Sequence, residues 1–181
     1  MHKGIYKKVA GVAALLFIIA FIFCAVRINK MYPNPIVEQY GKSNKIENDG
    51  FEVSIENTRF ASEEEKDMYW KEEKELYGDC EGYFVTFKIT NVGNQEKHCN
   101  LGECCIETDT YAQGMDLEKV YEVNDGNVAD KFTLKPGETS TVTVPFMIGK
   151  VSFTDSQWKN IKEQQFRVVL SLYPVKKEIV L

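Results

Sequence analysis

Residues 82–94 read GYFVTFKITNVGN. Tyr83, Val85, Phe87 and Ile89 alternate with Phe84, Thr86, Lys88 and Thr90. Successive side chains of a strand point to opposite sides, so this spacing predicts a long strand with one face in a core. Asn91, Val92, Gly93 and Asn94 close it with turn-forming residues.

The same period recurs outward from this strand. Upstream, Phe51, Val53 and Ile55 alternate with Glu52, Ser54 and Glu56. Downstream, Pro136-Gly137 makes a turn and residues 139–148 follow, with Val142, Val144, Phe146 and Ile148 on one face and Thr139, Thr141 and Thr143 on the other. Pro145 lacks a backbone donor, which predicts an edge strand or a bulge there. Residues 166–172 place Phe166, Val168, Leu170 and Leu172 inward, and Pro174 ends that strand. Shorter candidates are 103–108, 131–134 and 178–181. Several short strands separated by turn signals predict a mainly β, two-sheet antiparallel sandwich.

One or two short helices interrupt it. Residues 62–77, SEEEKDMYWKEEKELY, open with Ser62 and Glu65 in capping-box spacing, and acids fill the first turn. Met68, Tyr69, Leu76 and Tyr77 then form an apolar stripe that would cover a sandwich edge, with Trp70 as a rival partner-binding residue. Thr154, Asp155 and Ser156 open a second helix carrying Trp158 and Ile161.

Residues 9–26, VAGVAALLFIIAFIFCAV, contain no charged side chain. At 1.5 Å per residue they span about 27 Å, close to the hydrocarbon thickness of a bilayer. The expected organisation is a cytoplasmic leader (1–8), a transmembrane anchor (9–26), a linker (27–49) rich in Pro, Gly and Asn, and an extracytoplasmic domain (50–181). Lys3, Lys7 and Lys8 precede the run, which favours a cytoplasmic N-terminus. The length of the run and its lack of a small-x-small exit argue against signal cleavage, and the bulky Phe21 and Phe23 argue against lipid attachment at Cys24. The expected localisation is the cell membrane, single-pass, with the C-terminal domain outside.

All 27 acidic residues and 19 of the 22 basic ones follow the apolar run, so the domain carries a formal charge of −8. That balance disfavours nucleic acid as a partner. Cys80, Cys99, Cys104 and Cys105 lie in the same part of the chain. An even number of cysteines in an extracytoplasmic domain predicts disulfides. Cys104 and Cys105 are neighbours on a strand and face apart, so each must pair elsewhere. The preferred set is Cys80–Cys105 and Cys99–Cys104, with Cys104 inward beside Ile106 and Cys105 outward beside Glu103 and Glu107.

The rival use of these residues is a metal site made of Cys80, His98, Cys99, Cys104 and Cys105. Paired C-x2-C spacing is absent, which weakens it. His98 is the only histidine after the leader residue His2, so no nucleophile-base set assembles in the domain. Asp125-Gly126-Asn127 reads as a turn rather than a calcium loop, and nothing selects Asp109, Asp116 or Glu118 as cation ligands. No catalytic residue and no cofactor is expected.

The strand 82–94 with its T-N-x-G-N close, followed by LKPGETSTVTVPFMI (134–148), resembles the small immunoglobulin-like ectodomains of Gram-positive bacteria that sit behind one N-terminal anchor. The resemblance implies an immunoglobulin-like sandwich and a surface location, and it carries over no catalytic residues. The four domain cysteines and the helix at 62–77 depart from that pattern. The expected role is a non-enzymatic, membrane-anchored interaction domain for a protein or envelope ligand. The alternatives are an accessory or sensor subunit whose anchor packs through Ala10, Gly11, Ala13 and Ala14, or a metal- or redox-responsive Cys-His domain.

Overall fold

The computed structural model describes residues 3–126 and 128–181. It divides into an N-terminal unit, residues 1–36, and a β domain, residues 37–181. Met1 and His2 of the expected leader, and Asn127 of the expected turn, lie outside the described residues.

The first unit is one helix, α1 (Lys3–Met31). It runs past Val26 through Arg27 and Lys30, because nothing opposes helix until Pro33 and Pro35. Its stretch Ala14–Met31 is long and apolar enough to cross a membrane by length and composition. A membrane anchor and a signal sequence share those properties.

The domain is a sandwich of two main sheets. One has five strands in the order β1 (Ile36–Gly41), β11 (Val175–Val180), β10 (Arg167–Ser171), β6 (Cys105–Glu107), β7 (Ala112–Gly114). The other has four, in the order β2 (Ile46–Asn48), β3 (Phe51–Phe60), β4 (Cys80–Asn91), β9 (Thr139–Gly149). A two-stranded ribbon joins β5 (Lys97–His98) to β8 (Thr133–Leu134).

The central strand β4 is the one the alternation marks. Tyr83, Val85, Phe87 and Ile89 face the core, together with Val142, Val144, Phe146 and Ile148 of β9. Ile106, Val168, Leu170 and Ile179 close the core from the five-stranded sheet. On the outer side of β4 and β9, Thr86 meets Thr143 at 3.1 Å and Thr90 meets Thr139 at 2.9 Å, cross-strand pairs that hold the register.

The strand β9 does lie at a sheet edge, as Pro145 requires. Its free side is met by side chains, first of all by Asn124. Asn124 donates from Nδ2 to the Thr143 carbonyl at 2.7 Å and accepts from the Thr143 amide at 3.0 Å. A second Nδ2 bond, to the Val120 carbonyl at 2.7 Å, ties that side chain to α4 (Leu117–Val123).

Several expectations need correction. Residues 36–48 are not part of a tether: β1 lies beside β11, and β2 pairs with β3. The turn between β2 and β3 is Asp49-Gly50, both at positive φ (52° and 79°), with Asn48 opposite Phe51. That is the two-residue hairpin whose twist suits paired strands. Of residues 131–134, Lys131 and Phe132 end a short helix, α5 (Val128–Phe132), and only Thr133 and Leu134 form a strand, β8. Leu172 is exposed beyond the end of β10.

The helical content is also larger than one or two helices. Residues 62–77 form two, α2 (Glu63–Tyr69) and α3 (Lys71–Tyr77), and α6 (Asp155–Lys159) follows later. Both expected N-terminal signals act as caps: Ser62 with Glu65, and Thr154 with Gln157, form reciprocal capping boxes. The apolar stripe at 62–77 is inverted, however. Met68 and Leu76 are 71% and 73% exposed, while Trp70 is 2% exposed. Trp70 occupies the break between the helices and packs with Ala61, Cys80 and Phe84 on the outer face of the four-stranded sheet. A buried indole is no partner-binding surface.

Candidate functional site

The five residues weighed as a metal or disulfide set occupy four different environments. Cys80 lies with Trp70 and Phe84 on the outer face of the four-stranded sheet. Cys99 and Cys104 lie in the main core between the sheets. Cys105, on the opposite side of its strand from Cys104, donates its thiol to Glu107 Oε1 at 3.9 Å. His98 is exposed on β5, its Nδ1 3.1 Å from Thr133 Oγ1 and its ring 6.0 Å from that of Phe132. Among the described residues no group of three or more His, Cys, Asp or Glu is placed to hold a metal.

The expected disulfides are absent, and all five cysteines are free thiols. Cys80 lies on the outer face of the four-stranded sheet and Cys105 belongs to the five-stranded sheet, so Cys80–Cys105 does not close. Cys99 and Cys104 share the interior but are positioned by the loop's own bonds: Cys104 N to Leu101 O at 2.8 Å, and Gly102 N to Asn100 Oδ1 at 2.8 Å. The inward and outward facing of Cys104 and Cys105 does hold.

Burial pushes every one of the four domain thiols up. Cys99 rises to about 12 and Cys105 to about 11, and Cys80 and Cys104 move the same way, desolvation leading in each case. The thiolate is the reactive form, so these side chains behave as small apolar groups. Reduced thiols are therefore compatible with an oxidising compartment. In native protein the four domain thiols are expected to resist an aromatic disulfide reagent, and to react once the domain is unfolded in guanidinium chloride. Fewer than four titratable domain thiols after unfolding without reductant would restore a disulfide.

Around His98 and Cys99 the structure forms a cavity of about 230 Å³. The loop 98–102 makes one wall through Cys99 and Leu101; α5 contributes Val128 and Phe132. At its other side stand Met115 and two residues of α4, Leu117 and Tyr121. The last two are one helical turn apart, and both are open to solvent at 53% and 39%. Val120 of the same helix is fully buried. Asp116 caps α4, its Oδ1 accepting from Glu118 N at 3.0 Å. Asp125 (φ 59°) and Gly126 (φ 77°) turn the chain toward α5, as the Asp-Gly sequence anticipates.

A larger depression of about 430 Å³ over the five-stranded sheet is of another kind. Its charges are bound to one another: Lys176 to Glu107 at 2.6 Å and Glu178 at 3.1 Å, and Arg167 to Asp109 at 2.9 Å. Asp109, weighed above as a cation ligand, is thus an ion-pair partner. The cavity at Cys99 is the apolar one, and it is assembled from three segments that no local pattern joins.

Solved structures similar to this chain come from Gram-positive bacteria. One is an uncharacterized β-sandwich protein from Clostridium difficile 630, with 15% identity, a TM-score of 0.48, and coverage of 82% of this chain and 96% of that one. Another is a functionally unknown protein from Listeria monocytogenes EGD-e, with 13% identity, a TM-score of 0.46, and coverage of 77% and 80%. A third is a conserved hypothetical protein from Bacillus anthracis, with 13% identity, a TM-score of 0.47, and coverage of 77% and 94%. No curated protein matches the chain. A family model described as a domain of unknown function matches residues 35–177, from the start of β1 into β11, and the chain belongs to that family, DUF5028.

Proposed function

We propose that this chain is a non-enzymatic, single-pass membrane protein whose immunoglobulin-like β-sandwich lies outside the cell and binds a protein, peptide or envelope ligand. The observation that carries the reading is the pairing of an apolar N-terminal helix, preceded by lysines, with a domain of formal charge −8. Lysines on the N-terminal side favour its retention in the cytoplasm. Two features of the domain support reading it as a binding module. Its thiols are held in the unreactive form, and its one histidine is exposed and bonded to a threonine hydroxyl.

Protease treatment of intact cells, followed by alkaline carbonate extraction of the membranes, tests this. Removal of the domain from intact cells, with the uncleaved helix retained in the carbonate pellet, is the expected result. A protease-protected domain overturns the orientation. A mature N-terminus beyond Val26 overturns the anchor.

A further inference from the structure

We infer that the cavity beside Cys99 is an anchor site for one apolar side chain of a lysine- or arginine-flanked peptide segment. The inference rests on the reading of the domain as a binding module and names the chemistry of its partner.

Size sets the first limit. Pockets for whole small molecules run from about 300 to 1,000 Å³, and this one is about 230 Å³. It suits a single large side chain, and buried anchors of that kind dominate peptide and protein interfaces. Most of the wall is apolar, with His98 and Asn100 the polar residues of the lining. Leu101, Val128 and Phe132 are buried, and Cys99, its thiol kept protonated by burial, adds another small apolar surface.

The mouth sets the second limit. Leu117 and Tyr121 stand open to water beside an apolar cavity. Exposed apolar residues scattered singly need no explanation, but a contiguous patch rimming a cavity marks a contact surface.

Charge selects the occupant. Around the cavity, the described side chains Asp116, Glu118, Glu122 and Asp125 stand against Lys119 and Lys131. Lys119 is engaged by Glu122 at 3.3 Å and by Glu73 at 3.9 Å. Exposed Glu118, next to Leu117, and exposed Asp125, in the turn before Val128, form no ion pair among the described residues. An apolar cavity in acidic surroundings favours an apolar group carried between cations, and a rim of this kind acts on rate and specificity as well as affinity.

The test uses the full chain in phosphatidylcholine nanodiscs, whose zwitterionic surface does not itself attract lysine peptides. Three fluorescein-labelled peptides are compared by anisotropy. The first carries one tryptophan between glycine spacers with a lysine pair at each end. The second replaces the lysines by glutamates, and the third replaces the tryptophan by glycine. The lysine–tryptophan peptide is expected to bind at least about tenfold more tightly than either counterpart. Its affinity should fall with salt, fall about tenfold in Tyr121→Ala, and fall in Glu118→Lys, both variants keeping the native circular dichroism. Equal binding of the lysine and glutamate peptides, no binding of the first peptide, or unchanged affinity in folded Tyr121→Ala overturns the inference. So does self-association of the chain that Tyr121→Ala abolishes, which would make the occupant a second copy. Each of these leaves the protease result, and with it the reading of an outward-facing domain, standing separately.

Discussion

Gly82→Ala is expected to destabilise the domain by about 3 kcal/mol or more, comparable to removing a buried tryptophan. A Cβ at this position would fall 2.1 Å from Cζ3 and 2.7 Å from Cη2 of Trp70, and 2.8 Å from Cβ of Ala61. Real carbon contacts do not reach such distances, so something must move. The strand is held in place, since the Ala61 amide donates to the Gly82 carbonyl at 2.8 Å and Gly82 stays in register with Met147. The indole must therefore leave its slot, and its packing on Phe84, at a centroid distance of 5.7 Å, goes with it. Urea unfolding gives the cost, and a red-shifted emission in the folded protein reports the displaced ring. The same substitution in a Trp70→Ala background should cost less than in wild type, with a coupling of about 1–3 kcal/mol. A loss within about 0.5 kcal/mol in wild type would mean that Trp70 does not occupy the space over Gly82.

Phe87→Ala is expected to cost about 3–5 kcal/mol. Phe87 is fully buried at the middle of β4, opposite Ile55 on one side and Val142 on the other. A core closed from both sheets collapses poorly around a missing ring, so the cavity adds to the lost transfer free energy. Set against the roughly 5–15 kcal/mol that holds a domain together, one ring is a large share. Chemical denaturation checks the value, and a change below about 1 kcal/mol would place Phe87 outside the core.

The long strands were legible because half of each is a core and half is not. Phe87, Val144 and Leu170 stand out against Lys88, Thr143 and Ser171, and period 2 needs nothing but local sequence. The edges were not legible. Ile36 and Val37 of β1 are both exposed and the half-buried positions are Glu38 and Tyr40, so the strand carries no alternation of apolar residues and reads as a tether. A usable signal was present in Asp49-Gly50, a hairpin turn flanked by Ile46 and Phe51. The helix stripe failed for a different reason. Periodicity assumes an unbroken helix, and the structure breaks it at Trp70 to fill the space that Gly82 leaves.

The cysteines show the same boundary between local and long-range information. Opposite facing of Cys104 and Cys105 follows from strand geometry alone. Which cysteines meet depends on which sheet face each one reaches, and Cys80 reaches the outer face of one sheet while Cys99 reaches the inner core. The candidate pocket lies beyond local reading altogether. Its walls come from the loop 98–102, from α4 and from α5, and only the assembled fold brings them together.

The carboxamide of Asn124 gives the exposed flank of β9 an importance out of proportion to its size. An open strand flank is a template on which another chain can extend the sheet, and molecules confined to a plane would meet flank to flank at high local density. One amide occupies the Thr143 donor and acceptor at once, as a neighbouring strand would. Pro145 then offers no amide hydrogen, and Tyr111 Oη donates to the Met147 carbonyl at 2.8 Å. Only a group with a donor on one side and an acceptor on the other can fill that first position. Loss of ammonia from the side chain, the ordinary ageing chemistry of asparagine, would set oxygen against the carbonyls of Val120 and Thr143. A change of a single group would then open the Thr143 position of the flank.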